Sequence, residues 1–137
     1  MALTQDRNVR TKYHRDLQSY KVAEDAVIHK GAIVALDGGY LKPASDTAGL
    51  RVVGIAFDSA DNAGGSDGDA SCRALACVAR VKKAAAVTQA HVGADLYVED
   101  DGGAQLGSGD GGAANDVTVG MLRELDGDYA WCEVGLR

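Results

Sequence analysis

Two stretches of this 137-residue chain echo one another. His29–Leu41 reads HKGAIVALDGGYL and His91–Leu106 reads HVGADLYVEDDGGAQL. Both begin His-x-Gly-Ala, run through apolar residues, reach an acid followed by Gly-Gly, and continue to a leucine. They start 62 residues apart, at His29 and His91. A second pair of words follows the first in the same order, Val52-Val53-Gly54-Ile55-Ala56 and Val117-Thr118-Val119-Gly120-Met121-Leu122. The same words in the same order mark one supersecondary unit made twice. Whatever EDDGG does is then something the chain wants in two places.

Inside each copy the local signals are those of β structure. Ala32–Leu36 is a short apolar run ended by Asp37-Gly38-Gly39, a hairpin signal because glycine accepts positive φ without strain. Tyr40–Pro43 resumes extended structure and Pro43 ends it at an edge or turn. Leu50–Phe57 is rich in β-branched residues and reads as a strand. In the second copy Asp95–Val98 is a strand, Glu99–Gly103 a turn and Ala104–Leu106 a short strand. Val117–Leu122 follows as a strand, Leu125–Asp128 turns the chain, and Tyr129–Leu136 alternates well enough to close a sheet, with Trp131 in a core strand. Arg73–Val87 is ambiguous, since its Ala, Arg and Lys favour helix. Yet Leu75, Cys77, Ala79 and Val81 alternate with Ala76, Val78, Arg80 and Lys82, so a strand is expected there. The acid-glycine corners accordingly read as equivalent hairpin turns.

These elements predict a mainly β fold, a compact β-sandwich or barrel of about eight to ten short antiparallel strands with two similar β-units. Residues 22–137 would form a single body, with an insertion-like, mobile surface loop at 58–72 and a flexible loop at 107–116. The core is expected to be thin: hydrophobic residues make up 46% of the chain, but they are mostly Ala and Val, with one Phe and one Trp. No apolar run approaches the ~18 residues of a membrane-spanning helix. The start, MALTQDRNVR, has no apolar segment behind its charges, so no secretory signal is read and cytoplasmic synthesis is the expectation.

Charge is unevenly placed. Residues 1–21 carry Arg7, Arg10, Lys12, Arg15 and Lys21 against Asp6 and Asp16, while the remainder is strongly acidic and the whole has net charge −6. An acidic body argues against non-specific nucleic-acid binding. The first 21 residues spread Leu3, Val9, Tyr13, Leu17 and Tyr20 along a polar segment with no cap or sustained apolar stripe. They read as an extended basic arm that orders against a partner, the alternative being a plain disordered tail.

Motifs that carry chemistry are weak. Gly107-Ser108-Gly109-Asp110-Gly111-Gly112 satisfies GxGxxG, but a strand rather than a helix follows, so it offers no pyrophosphate site. The 58–72 loop fails the calcium-loop pattern, with Cys72 and Ala79 at the sixth and twelfth positions from Asp67, leaving only a weak cation site among Asp58, Asp61, Asp67 and Asp69. Cys72, Cys77 and Cys132 are in no metal-ligand spacing and read as reduced, buried thiols. His14, His29 and His91 are too scattered for a metal site, and no nucleophile elbow occurs. Glu99, Asp100 and Asp101 could in principle serve as general acid and base, but nothing else in the chain suggests a substrate pocket. No enzyme and no cofactor are expected.

The order of words resembles the small capsid decoration, or cement, proteins of tailed bacteriophages. The residues that carry the resemblance are Val53-Gly54-Ile55-Ala56, Gly93 with Leu96-Tyr97, Val119-Gly120-Met121 and Val134-Gly135-Leu136, over roughly residues 22–137. The basic arm and the 58–72 loop depart from the minimal pattern. The resemblance implies a structural virion protein on the outer capsid surface, made in a bacterial host, that stabilises the assembled shell. Its partners would be the major capsid protein and further copies of itself, as trimers at three-fold positions or dimers at two-fold positions, with no nucleic acid or membrane. The capsid-binding residues would lie in the arm: Arg7, Arg10, Lys12 and Arg15 for acidic partners, and Val9, Tyr13, Leu17 and Tyr20 as apolar anchors. A head-fibre or tail module that binds a host receptor is the alternative, and a small β-barrel hydrolase is a further rival.

Overall fold

A computed structural model describes residues 17–136 of the chain. The first half forms β1 (Leu17–Lys21), β2 (Val27–Ile28), β3 (Ile33–Asp37), β4 (Tyr40–Pro43), β5 (Arg51–Ala56), β6 (Ala60–Asp61) and β7 (Ser71–Leu75). The second forms β8 (Cys77–Lys83), β9 (Asp95–Asp100), β10 (Gly103–Gln105), β11 (Thr118–Asp126) and β12 (Tyr129–Val134). The fold is mainly β with antiparallel sheets, as the sequence led one to expect, and the helical content among the described residues is two single 3-10 turns at Gln89–His91 and Ser108–Asp110.

The repeat extends further than the repeated words. The first sheet has the order β1-β7-β5-β3-β4, and β8-β12-β11-β9-β10 close into a barrel. The two orders correspond strand for strand. In the second unit β10 returns to β8 in parallel, pairing Gly103 with Lys82 and Ala104 with Lys83. In the first, one parallel bridge between Val22 and Leu41 occupies the corresponding seam. β1 is therefore the counterpart of β8, and the extra pair β2–β6 is an addition to the first unit.

The two "Val-Gly" words owe their glycines to this geometry. Gly54 has φ +156 and Gly120 φ +152, and each sits where its strand bulges against a neighbour. A Cβ on Gly54 would lie 2.5 Å from the Leu75 carbonyl oxygen, and one on Gly120 would collide with the Glu133 carbonyl oxygen. Val34 stands opposite Gly54 and Leu96 opposite Gly120, and Val34 and Leu96 are themselves 62 residues apart, as the opening histidines are.

Packing explains why the copies differ in sequence. Val34 points into the first core with Val22, Ile28, Leu41 and Cys72. Its neighbours Ile33 and Ala35 point the other way, into a second core that holds Leu96, Val98, Leu122 and Val134. β3 is thus covered on both faces, which is what an unbroken Ile-Val-Ala-Leu run provides. β9 buries only Leu96 and Val98 and leaves Glu99 exposed, so it alternates. The shared core makes the two units one folding body.

Three expectations are corrected. Leu17–Lys21 is not part of a free arm: it pairs along its whole length with Ser71–Leu75 of the body. The segment from Arg73 is β-structured, but it breaks at Ala76, where the chain leaves the first sheet and enters the barrel. Trp131 lies on a barrel strand, yet its side chain faces outward and is 36% exposed, because the inward positions of β12 belong to Ala130, Cys132 and Val134.

Candidate functional site

The expected binding residues divide at the edge of the described region. Arg7, Val9, Arg10, Lys12, Tyr13 and Arg15 lie outside the described residues. Leu17 is opposite Leu75 at the end of β1, and Tyr20, opposite Cys72, packs against the first core. Tyr20 is therefore held by its own body and is not a free anchor.

The acid-glycine corners are hairpin turns, but they are built differently. Asp37 pairs with Tyr40 across Gly38 and Gly39, both at positive φ, the twist that suits a two-residue hairpin. Asp100 pairs with Gly103 across Asp101 and Gly102, and the Asp100 carboxylate accepts the Gly102 N–H at 2.8 Å. That second corner also joins strands: the Asp101 carbonyl accepts the Ile33 N–H at 2.7 Å and the Gly102 carbonyl accepts the Lys82 N–H at 3.2 Å. EDDGG is thus a turn whose backbone ties the barrel to the first sheet. Glu99 and Asp100 are both exposed where β9 bulges against β10, and the Asp100 carboxylate is taken up by the turn itself.

The acids of the 58–72 loop are likewise taken up by their own surroundings. Asp61 accepts the Ala63 N–H at 3.0 Å, Asp67 the Glu24 N–H at 2.7 Å and Asp69 the Ser66 N–H at 2.9 Å. Asp58 receives the Arg73 guanidinium on both oxygens at 2.8 Å. Beneath them Asn62, 5% exposed, donates to the carbonyls of Ala23 at 2.8 Å and Ser66 at 3.0 Å. The expected mobile loop is pinned to the β1–β2 connection, and its four acids point to separate partners. Among the described residues no group of three or more His, Cys, Asp or Glu comes together to hold a metal.

Asp46 is a clamp that sequence reasoning missed. From the loop before β5 it accepts the N–H of Ala114 at 2.7 Å and of Asn115 at 2.9 Å, while Asn115 donates its side-chain amide to the Asp46 carbonyl at 2.8 Å. These bonds, the one from Ala114 foremost, hold the Asp46 carboxyl below its ordinary 3.8. The Arg73 side-chain bond does the same for Asp58. A depressed folded value means stability that is complete above the unfolded pKa and lost as pH falls through the folded one. Below about pH 4, protection of the Ala114 and Asn115 amides from hydrogen exchange is expected to fall before that of the barrel strands. Unchanged protection at those two amides down to about pH 2 would contradict the clamp.

The remaining candidates have structural roles. His91 Nδ1 accepts the Thr88 N–H at 2.9 Å, closing the 3-10 turn, and His29 is exposed. Cys72 and Cys132 are buried and Cys77 partly so. Burial raises all three thiols, Cys132 to about 12, which leaves little thiolate for chemistry.

One open groove of about 590 Å³ lies where the two units meet. β7 reaches β5 only at Ile55 and Ala56, and β12 reaches β11 from Leu122 onward, so the early residues of β5 and β11 are left to form its walls. Arg51, Val52, Val117 and Thr118 line it. Its one acid, Asp116, is bound to Ser108 through the backbone N–H at 2.8 Å and the hydroxyl at 2.6 Å. The groove presents strand edges, and its carboxylate is already engaged in holding the Ser108 turn.

No family model, curated protein or solved structure matches this chain.

Proposed function

We propose that the chain is a structural virion protein that binds the outer surface of an assembled bacteriophage capsid and stabilises it. The observation that carries this reading is the use of the acids: the corner and loop carboxylates hold backbone N–H groups, and the body is a two-unit β block fastened through a shared core. Such a body suits bracing. The basic segment that ends at Asp16 runs directly into β1, an outer strand of the first sheet, and offers charge and apolar anchors to a neighbour. The capsid subunit is the partner proposed, with acidic side chains opposite Arg7, Arg10, Lys12 and Arg15. A ligand that binds the assembled shell better than its separated subunits raises the shell's stability by mass action.

The test is to add purified protein to undecorated shells, sediment them, and heat the washed particles. The protein is expected in the pellet at a fixed ratio, with rupture of decorated shells at a higher temperature. Binding is expected to weaken as salt is raised from ~50 mM to ~1 M, since salt screens ion pairs between the leader's basic residues and an acidic partner. A protein that stays in the supernatant at low salt would refute the proposal.

The exposed Trp131 favours a second reading, a fibre or tail module that holds a host surface glycan. Against it, the neighbouring Tyr129 ring already carries the Arg80 guanidinium 3.8 Å from its centroid, so the Trp131 ring has no free aromatic partner beside it on β12. Retention on host cells that is abolished by Trp131→Ala, together with no binding to shells, would select that reading.

A further inference from the structure

The outer face of the barrel sorts opposite charges onto the two sides of one strand, and only part of that charge is paired within the described body. β12 presents Tyr129, Trp131 and Glu133 outward, alternating with the buried Ala130, Cys132 and Val134. On one side of it β8 presents Arg80 opposite Trp131 and Lys82 opposite Tyr129. On the other side β11 presents Glu124 opposite Trp131 and Asp126 opposite Tyr129. Leu125, between those acids, packs inward. A basic pair and an acidic pair therefore flank an aromatic strand at the same two levels; beyond them Arg123, at the bulge of β11, pairs with Glu133 of β12 at 2.9 Å. Val78, 38% exposed, and Trp131, 36% exposed, supply the apolar area.

We infer that this face is a self-complementary docking surface for a second copy of the chain, related by a two-fold axis parallel to β12. Rotation about such an axis lays β12 on its own counterpart, Trp131 near Trp131, and exchanges the flanks. Arg80 and Lys82 of one copy then face Glu124 and Asp126 of the other, and the reverse. Charge argues for a second copy in particular. With net charge −6, most faces of this molecule repel their own kind, whereas here equal numbers of opposite charges are sorted onto the two sides that the axis exchanges. Arg80 already reaches Asp126 across β12 at 2.8 Å, but Lys82 and Glu124 have no ion-pair partner among the described residues. Three strands spaced ~4.8 Å apart cover less than the ~800 Å² per partner of a stable complex, so the association is weak, with dissociation on the order of 10–100 µM. It requires no shell and does not depend on the capsid reading.

The full-length protein carries its own probe, because Trp131 is the only tryptophan. From about 1 µM to about 1 mM, sedimentation is expected to pass from monomer to dimer, while Trp131 emission shifts blue and its quenching by iodide falls. Lys82→Glu and Asp126→Lys are each expected to weaken dimerisation at least about tenfold, as each sets two like-charged contacts across the axis. Both positions are exposed, and unchanged far-ultraviolet circular dichroism would check that the variants fold. An equimolar mixture of the two variants should dimerise as well as the wild type, because every contact is then between opposite charges. A monomer up to about 1 mM, a trimer, a dimer with unaltered Trp131 quenching, or a mixture no tighter than either variant alone would overturn the inference.

Discussion

Replacing Gly120 with alanine is expected to destabilise the protein by about 3 kcal/mol or more, from two effects that act together. A backbone at φ +152 is one that residues with a Cβ rarely adopt, and the added methyl would be driven into the Glu133 carbonyl oxygen. The obstacle is backbone, so no side-chain rotation relieves it. β11 would have to move off β12, and that ladder is one side of the closed barrel. Gly54→Ala repeats the experiment in the first unit, against the Leu75 carbonyl oxygen, and should cost a comparable amount if the units are equivalent. Gly109→Ala is the control, since space around that position is open, and it should stay within about 0.5 kcal/mol of the wild type. Urea denaturation followed by circular dichroism and by Trp131 fluorescence decides the matter. A Gly120→Ala protein with wild-type stability would show that β11 does not approach β12 so closely.

Ile33→Ala is expected to cost about 3–4 kcal/mol and to do so in both halves at once. Ile33 is fully buried, belongs to the first unit, and projects into the core that holds Leu96, Leu122 and Val134 of the second. Its N–H also bonds the Asp101 carbonyl at the barrel's corner. Truncation leaves a cavity at the junction, walled by both units. The urea midpoint read from Trp131, on the barrel's far face, should therefore drop as far as the midpoint read from the whole chain's circular dichroism. If the tryptophan signal keeps its wild-type midpoint, the two cores are separate and the shared one described above is wrong.

Much of this architecture could be read from residues. The His-x-Gly-Ala and Val-Gly words mark equivalent strands, and the Asp-Gly-Gly turn makes the hairpin it resembles. β1 went unread as a member of the sheet because Leu17-Gln18-Ser19-Tyr20-Lys21 shares no word with its counterpart Cys77–Lys83. Their likeness is one of position in a sheet, which only pairing reveals. Trp131 misled for a related reason: alternation says that one side of a strand is covered, not which side, and the small residues Ala130 and Cys132 took the inward places. The 58–72 loop read as mobile because the bond that fastens it is remote, Asp67 being 43 residues from Glu24, and the Asp46 clamp was missed because Ala114 lies 68 residues away. Local composition cannot see such bonds. The basic segment before Leu17 keeps its sequence-based role as a proposal.

That proposal sets the roles apart: the acid corners and loops hold the body, and the leader binds. Since Leu17–Lys21 belongs to the sheet, deleting residues 2–16 removes the leader and leaves every described strand in place. Sedimentation of this truncated protein with undecorated shells is the most direct test. Wild-type circular dichroism and urea midpoint are expected for the truncated body, together with its absence from the shell pellet under conditions where the full chain saturates it. Normal occupancy of the shells by the truncated protein would show that the leader is not what binds.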